Sequence, residues 1–187
     1  MKGILFNLLE AVVTARWGED VWDDVLVAAD LNGAYTSIGS YPDEEFMVLL
    51  ARLPSSESAE DLLRWFGRSA LPLLAARYPE FFLRHADTRS FLLTINDIVH
   101  PEVRKLYPDA DVPVFGFDSS AGGNGSLLVT YESRRRLCVL AEGFILGAGD
   151  YFGELVDLVQ LDCMLHGAKR CVIQCVLHPV QAADAGA

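Results

Sequence analysis

One histidine of this chain has the surroundings of a metal ligand. Of the four histidines, only His100 lies within an apolar pattern, with Ile98 and Val99 before it and Val103 and Leu106 after it. A neutral imidazole can bind iron through one ring nitrogen while the other donates a hydrogen bond, and we expect a backbone carbonyl to accept that bond. A lone histidine on an apolar helix face is more often a core residue. His100 is therefore a candidate only together with other groups.

Three hydrogen-bond donors, Tyr131, Ser133 and Arg135, follow at alternate positions of a predicted strand. Side chains two residues apart share one face of a strand, so the three would line up. Arginine suits a carboxylate because its planar group can form two parallel bonds. The alternative is ordinary strand residues and a surface arginine like Arg134 and Arg136. A histidine ligand and carboxylate-binding donors together match a flat ligand with a central metal and two carboxylates, which is haem.

The order and spacing of these residues resemble the haem nitric oxide/oxygen-binding (H-NOX) family, which includes the sensor domain of soluble guanylate cyclase. The resemblance runs from the opening MKGILFNLLE to about His178 and includes Pro113, thirteen residues after His100. It implies haem b bound by His100, a porphyrin distorted by Pro113, and propionates held by Tyr131, Ser133 and Arg135, which we call the clasp. An ordinary loop proline is the alternative at Pro113.

The resemblance also implies a distal pocket without hydrogen-bond donors. Family members that bind oxygen stably carry a tyrosine nine residues beyond the first residue of the clasp, where this chain has Leu140. The other positions implied to line the pocket are Leu5, Leu9, Ala70, Leu74 and Phe144. Bound oxygen carries partial negative charge and benefits from a donor far more than nitric oxide does. We therefore expect this pocket to discriminate against oxygen.

Four cysteines occur in the last third of the chain: Cys138, Cys163, Cys171 and Cys175. In a reducing compartment they indicate metal or redox chemistry before structural disulfides. Some H-NOX proteins bind zinc here through cysteines and a histidine; the first three cysteines match, but Gln160 occupies the histidine position. Cys175 and His166 are the candidates to replace that histidine. A turn at 166–168 would place Cys163 opposite Cys171, while Cys175 lies about 13 Å further along the strand. Zinc, a redox-active thiol pair and inert thiols stay open.

Hydrophobic periodicity predicts the elements that position these residues. Helices are expected over residues 3–17, 20–31, 42–53, 59–84, 88–107 and 135–149. Ser58 is expected to cap the fourth helix and Pro72 to kink or divide it. Pro101 should kink the helix bearing His100 or begin a new one, because it lacks an N–H. Gly147 to Gly149 should end the last helix.

Strands rich in Val, Leu and aromatic residues are expected over residues 112–117, 126–131 and 155–163, with a turn at 121–125 and a last hairpin turning at 166–168. The predicted fold class is α+β. We expect one domain over residues 1–180: a distal helical subdomain (about 1–60), an α+β part with an antiparallel sheet (about 61–180), and haem between them. Residues 181–187 are expected to form a flexible tail.

Charge and hydrophobicity exclude some functions. The net charge is −11, which disfavours nucleic acid as a partner. Residues 18–62 hold eleven acidic residues against one arginine, so this region forms either a solvated surface or a docking face for a partner. The apolar start at residues 4–9 is interrupted by Asn7, too short and polar for a signal peptide, and no run approaches a membrane span. We expect a cytoplasmic protein without membrane contact.

The resemblance implies a sensor function. A stand-alone bacterial H-NOX protein binds nitric oxide, and also carbon monoxide, at ferrous haem and regulates a separate histidine kinase or cyclic-di-GMP enzyme. The implied signal is weakening or breakage of the bond to His100, followed by a shift of the helical half against the rest. The alternative is a zinc- or thiol-based redox sensor. A haem enzyme is disfavoured, because we find no distal acid or base in the sequence.

Overall fold

Four helices come first in the chain, and a four-stranded sheet is built from its second half. The computed structural model describes residues 1–107, 109–119 and 126–179. The first four helices are α1 (Gly3–Trp17), α2 (Glu19–Ala29), α3 (Asp43–Ala51) and α4 (Ala59–Arg77). The helical part continues with a 3-10 turn (Pro79–Phe81), α5 (Thr88–Leu92), a π-helical turn (Ile95–Val99) and α6 (His100–Leu106). The remaining elements are β1 (Val114–Asp118), β2 (Ser126–Glu132), α7 (Cys138–Phe152), β3 (Glu154–Asp162), a second 3-10 turn (Met164–His166) and β4 (Cys171–Pro179). The predicted turn at 121–125 and tail at 181–187 lie outside the described residues.

The sheet is antiparallel throughout, in the order β1-β2-β4-β3. Its inner face buries Leu127 and Val129 of β2 and Ile173, Cys175 and Leu177 of β4 in one apolar cluster with Ile145 and Ala148 of α7. The two central strands therefore anchor α7, while β1 keeps one edge open toward the helical segment that bears His100. The predicted α+β class is confirmed, and the strands start or end within two residues of the predicted positions.

Helix α4 is continuous through Pro72 and ends at Arg77, earlier than the predicted residue 84. The Ser58 hydroxyl accepts from the Asp61 N–H at 3.1 Å and donates to the Asp61 carboxylate at 2.7 Å, which confirms the predicted cap. Pro72 lies inside the helix, which runs on to Arg77, so of the two predicted outcomes, a kink or a division, the division is wrong. Leu71 and Ala75, on either side of Pro72, are buried in the core, and this packing holds the helix together despite the lost hydrogen bond.

The glycines of α7 allow close helix packing and do not end the helix. Helix α7 continues through Gly147 and Gly149 and ends at Gly153, whose φ of 69° is the left-handed conformation typical of a helix terminus. A Cβ at Gly147 would lie 2.7 Å from the Arg68 carbonyl oxygen of α4 and 2.8 Å from the Cβ of Leu71. The predicted helix end was wrong because these glycines are needed for close packing, Gly147 where α7 meets α4 and Gly149 where α7 meets β3.

Replacing Gly147 with Ala is expected to lower the free energy of unfolding by about 1–3 kcal/mol, because the new methyl group must push α4 and α7 apart. Helix propensity alone would raise it by about 1 kcal/mol. The sign of the change in chemical denaturation therefore decides between crowding and propensity. A stabilised variant would show that α4 and α7 can separate at little cost.

Helix α6 begins at His100, with Pro101 in its first turn, where a missing N–H costs nothing. Helix α6 thus starts one residue before Pro101 and continues directly from the π-helical turn at Ile95–Val99, so Pro101 does not itself begin a new helix. The π-helical turn joins α5 to α6, and the Val99 N–H reaches the Thr94 carbonyl, five residues back, at 3.2 Å. Such turns inside helices occur often at functional sites, because they reorient the residues that follow.

The surface of α2 carries much of the negative charge. Its residues Glu19, Asp20, Asp23 and Asp24 are all exposed. No helix in the described part of the chain combines the length and the hydrophobicity needed to span a membrane.

Candidate functional site

A cavity of about 520 Å³ lies between α4, the His100 segment, β1, β2 and α7. Its walls are mostly aliphatic and aromatic, with polar groups from the clasp and from residues near the start of the chain. The apolar lining includes Leu5, Leu74, Phe82, Val99, Val103, Phe115, Val129, Leu140 and Phe144. Size and lining are those of a site that buries a mainly apolar small molecule and orients it with a few polar groups.

His100 lines this cavity and is held from behind by its own chain. Its ring forms a hydrogen bond with the backbone of Pro113, where the acceptor is the carbonyl because proline has no N–H. Burial and the Arg104 charge lower the pKa of His100 to about 4, against the opposite effect of that hydrogen bond. The imidazole is therefore neutral, with one nitrogen occupied by Pro113 and the other available as a ligand. Pro113 also lines the cavity.

The clasp comes together in a turn and not along a strand. Tyr131 lies in β2, which ends at Glu132, so Ser133 and Arg135 fall between β2 and α7. The predicted alternation on one strand is wrong for these two. The Arg136 N–H bonds the Ser133 carbonyl at 3.2 Å, and Arg136 has a φ of 53°. This tight turn still brings all three clasp residues to the cavity wall.

Tyr131 is oriented by hydrogen bonds to its oxygen. The Leu137 N–H donates to it at 3.0 Å, and the Ser133 hydroxyl is a second partner. Burial raises the pKa of Tyr131, and these hydrogen bonds offset part of that effect. The hydroxyl is therefore neutral, and its own proton is available to an acceptor in the cavity, such as a carboxylate.

Arg135 has a partner that the sequence did not reveal. Its Nε and Nη2 donate to the two carboxylate oxygens of Asp43 at 2.6 and 2.8 Å, and Asp43 also pairs with the Met1 amino group at 2.7 Å. Burial alone would raise the pKa of Asp43, but the Arg135 and Met1 partners lower it on balance. Asp43 is one of many acidic residues in its region, and only the fold sets it apart. The pair joins α3 to the clasp.

The predicted distal residues divide into two groups. Leu5, Leu74, Leu140 and Phe144 line the cavity. Leu9 and Ala70 are fully buried in the adjoining core and are absent from the lining among the described residues.

Two tyrosines in the cavity wall were not predicted. Tyr78 follows Leu74 by one helical turn, and its hydroxyl forms a hydrogen bond with that of Tyr107 at the end of α6. Burial raises the pKa of Tyr107 to about 12, and the hydrogen bond to Tyr78 acts in the same direction. The Tyr107 hydroxyl is therefore neutral. The two tyrosines add hydroxyl groups to a wall that the sequence predicted to be free of donors.

Three of the four cysteines cluster. The Sγ atoms of Cys138, Cys163 and Cys171 lie within 4.8 Å of one another, and all three side chains are buried. Burial raises the pKa values of Cys138, Cys171 and Cys175. Among the described residues, no histidine, carboxylate or fourth cysteine joins the cluster, and the Gln160 side chain donates to the Asp162 carbonyl at 2.5 Å.

Comparison with known proteins agrees with this geometry. A family model described as Haem-NO-binding matches residues 2–160. The chain belongs to the Haem-NO-binding (H-NOX) family. The match includes His100, Pro113, the clasp and the cavity-lining part of α7.

Solved H-NOX structures share the fold. A triple mutant of the S. oneidensis protein in the Fe(II) state is 29% identical, with a TM-score of 0.86 over 97% of this chain and 98% of that one. The S. oneidensis protein in the Fe(II)NO state is 30% identical, with a TM-score of 0.84 over 95% and 99%. The unliganded Fe(II) protein from K. algicida is 26% identical, with a TM-score of 0.82 over 98% and 100%. Helices with a four-stranded antiparallel sheet are thus the H-NOX fold.

Replacing Arg135 with Ala is expected to speed haem loss from this H-NOX protein about 10- to 100-fold, and replacing Ser133 with Ala only a few-fold. A hydrogen bond to a charged group contributes about 1.5–3 kcal/mol, against about 1 kcal/mol between neutral groups. Transfer of haem to an excess of an acceptor protein measures the rates. Arg134→Ala is the matched control, since Arg134 is exposed. Equal rates for the Arg135 and Ser133 variants would remove Arg135 from the clasp.

Proposed function

We propose that this chain is a haem-based sensor of nitric oxide and not an enzyme. The observation that carries the proposal is His100: a neutral imidazole with one nitrogen bound to the Pro113 carbonyl and the other free at an apolar cavity. Haem b would supply a ferrous iron that binds the gas. The family and the S. oneidensis structure in the Fe(II)NO state support this choice.

The residues around the cavity fit haem in three ways. His100 would bind the haem iron. The aliphatic and aromatic walls suit the porphyrin faces, and Pro113 contributes to one wall. The clasp offers Tyr131 and Ser133 hydroxyls and the Arg135 guanidinium to propionates. Arg135 keeps donors beyond the Nε and Nη2 used by Asp43, because a guanidinium carries five N–H groups.

Selectivity for nitric oxide and carbon monoxide over oxygen rests on the aliphatic side chains of Leu5, Leu74 and Leu140. Oxygen needs a hydrogen bond that these groups do not give, whereas the other two gases bind well without it. Tyr78 and Tyr107 also line the cavity and carry hydroxyls, and these two hydroxyls bond to each other.

Signal transfer needs contacts that differ between two states. The Arg135–Asp43 pair joins the clasp to α3, so movement of the clasp would act on the helical subdomain of residues 1–60. Residues 61–180 would hold the haem within the same domain. We infer a cytoplasmic protein whose partner is a histidine kinase or a cyclic-di-GMP enzyme. Assaying such an enzyme with the ferrous protein, with and without nitric oxide, tests the partner class.

A second candidate, a zinc- or thiol-based redox sensor, is supported by the cysteine cluster. Three buried Sγ atoms within 4.8 Å supply three of the four ligands that structural zinc requires. The fourth is not at the cluster in the described part of the chain. Burial raises the pKa values of Cys138 and Cys171, which keeps these two thiols neutral and therefore poor nucleophiles. Zinc analysis and titration of the thiols in the native protein distinguish these cases.

The absorbance spectrum of the purified ferrous protein tests the main proposal. A Soret band that shifts on anaerobic addition of nitric oxide supports it. Haem binding without a response to nitric oxide would remove the sensor function, and failure to bind haem after reconstitution would remove haem as well. Zinc content measured on the same sample keeps the second candidate separate.

A further inference from the structure

Asn96 bonds both backbone groups of one residue in β1. Its amide nitrogen donates to the Phe115 carbonyl, and its side-chain oxygen accepts from the Phe115 N–H at 3.2 Å. Strand β1 is an edge strand, paired on its other side with β2. The N–H and carbonyl of Phe115 would otherwise face the empty side of the sheet. Asn96 therefore takes the place of a neighbouring strand at this one position.

His100 contacts the same short segment of chain. It follows Asn96 by four residues, so both side chains leave the same side of the helical segment. The imidazole bonds the Pro113 carbonyl and lies 5.8 Å from the Phe115 ring, centroid to centroid. Asn96 and His100 thus attach one helical segment to residues 113–115 at two points, one of them the candidate iron ligand.

The π-helical turn lies between these two contacts, and its backbone hydrogen bonds close wider rings than those of an α-helix. The Val99 N–H bonds the Thr94 carbonyl, and the His100 N–H bonds the Ile95 carbonyl, each five residues back. A π turn is rare and occurs mostly as a single turn inside helices, frequently at functional sites. Asn96 lies inside this turn and holds it to Phe115 of β1.

We propose that Asn96 is a positioning residue that acts through His100. By holding the π turn against Phe115, it fixes the distance between α6 and the Pro113 carbonyl, and so the direction of the free imidazole nitrogen. Phe115 pairs with Tyr131 in the sheet, and their rings lie 5.6 Å apart, so the same contact ties the axial ligand to the clasp. The inference rests on the proposed haem function for its iron readout only.

Two variants of Asn96 separate its hydrogen bonds from its size. Asn96→Leu has nearly the same volume and no polar group. Asn96→Asp keeps the acceptor for the Phe115 N–H but sets a carboxylate against the Phe115 carbonyl. The matched control is Asp97→Asn, an isosteric change at the next residue, which is exposed.

The first readout uses the haem-free protein. Amide hydrogen exchange of residues 99–106 and of Phe115 is expected to rise about 10-fold in Asn96→Leu, which is the effect of losing one net hydrogen bond. Exchange in α1 is expected to stay unchanged, as is exchange throughout Asp97→Asn. Unchanged exchange at residues 99–106, or an equal rise in α1, would overturn the proposal, because Asn96 would then be irrelevant or only generally stabilising.

The second readout is the iron–histidine stretching band of the ferrous haem protein in resonance Raman spectra. We expect it to shift and broaden in Asn96→Leu and Asn96→Asp and to match the unmodified protein in Asp97→Asn. An unchanged band in both Asn96 variants would overturn the positioning role. If the unmodified protein itself lacks the band, the proposed function fails, and hydrogen exchange alone decides whether Asn96 holds α6.

Discussion

Replacing His100 with Ala is expected to give a protein that does not retain haem through purification. Among the described residues that line the cavity, His100 is the only histidine. Its low pKa keeps it ready to bind metal at any physiological pH, since no proton has to leave. Without it, binding rests on the apolar walls and the clasp, which supply no bond to iron. Free imidazole is expected to restore binding, because the truncated side chain leaves room for it.

Haem content after reconstitution, with and without imidazole, measures this effect. His166→Ala is the matched control, because His166 is exposed in the turn before β4. Retained haem with an unchanged ferrous spectrum in His100→Ala would show that another residue is the ligand. Loss of folding is a separate outcome, which circular dichroism of the haem-free variant detects, and then His100→Gly with imidazole repeats the test.

The sequence identified the candidate haem-binding groups, because their types and spacing are local properties. His100, Pro113 and the clasp all line one cavity, as predicted from their order in the chain. The hydrogen bonds between cavity residues could not be predicted, because the two partners of each bond are distant in sequence. Asp43 meets Arg135 across 92 positions, and Tyr78 meets Tyr107 across 29. Nothing in the local pattern marks these residues among others of their type.

Local rules also failed where packing overrides them. Pro72 and Gly147 are helix breakers by propensity, yet both lie inside helices. Gly147 lies where α7 meets α4, and the close contact that it permits outweighs its conformational cost. Ser133 and Arg135 lie outside the strand in which they were predicted, because β2 ends at Glu132 and a turn follows. Tertiary contacts determine the conformation at these positions, and such contacts cannot be predicted from a single sequence by local rules.

The ferrous protein in air is expected to form no stable oxygen complex. Nitric oxide is expected to bind and to break the bond between His100 and the iron. Leu140 occupies the place of the tyrosine found in oxygen binders, and Leu5 and Leu74 supply no other donor. One hydrogen bond to a strongly polarised acceptor in an apolar site contributes about 1.5–3 kcal/mol, or roughly 10- to 100-fold in affinity. Absorbance spectra under each gas measure the outcome.

Leu140→Tyr is expected to raise oxygen affinity by up to that factor, and Leu140→Phe is its matched control, with the same ring but no hydroxyl. If both variants change oxygen affinity equally, shape and not hydrogen bonding controls it. A long-lived oxygen complex in the unmodified protein would contradict the prediction outright. The donor would then be sought at Tyr78 and Tyr107, whose hydroxyls bond each other in the cavity wall. Loss of that complex in Tyr78→Phe or Tyr107→Phe would identify the hydroxyl responsible.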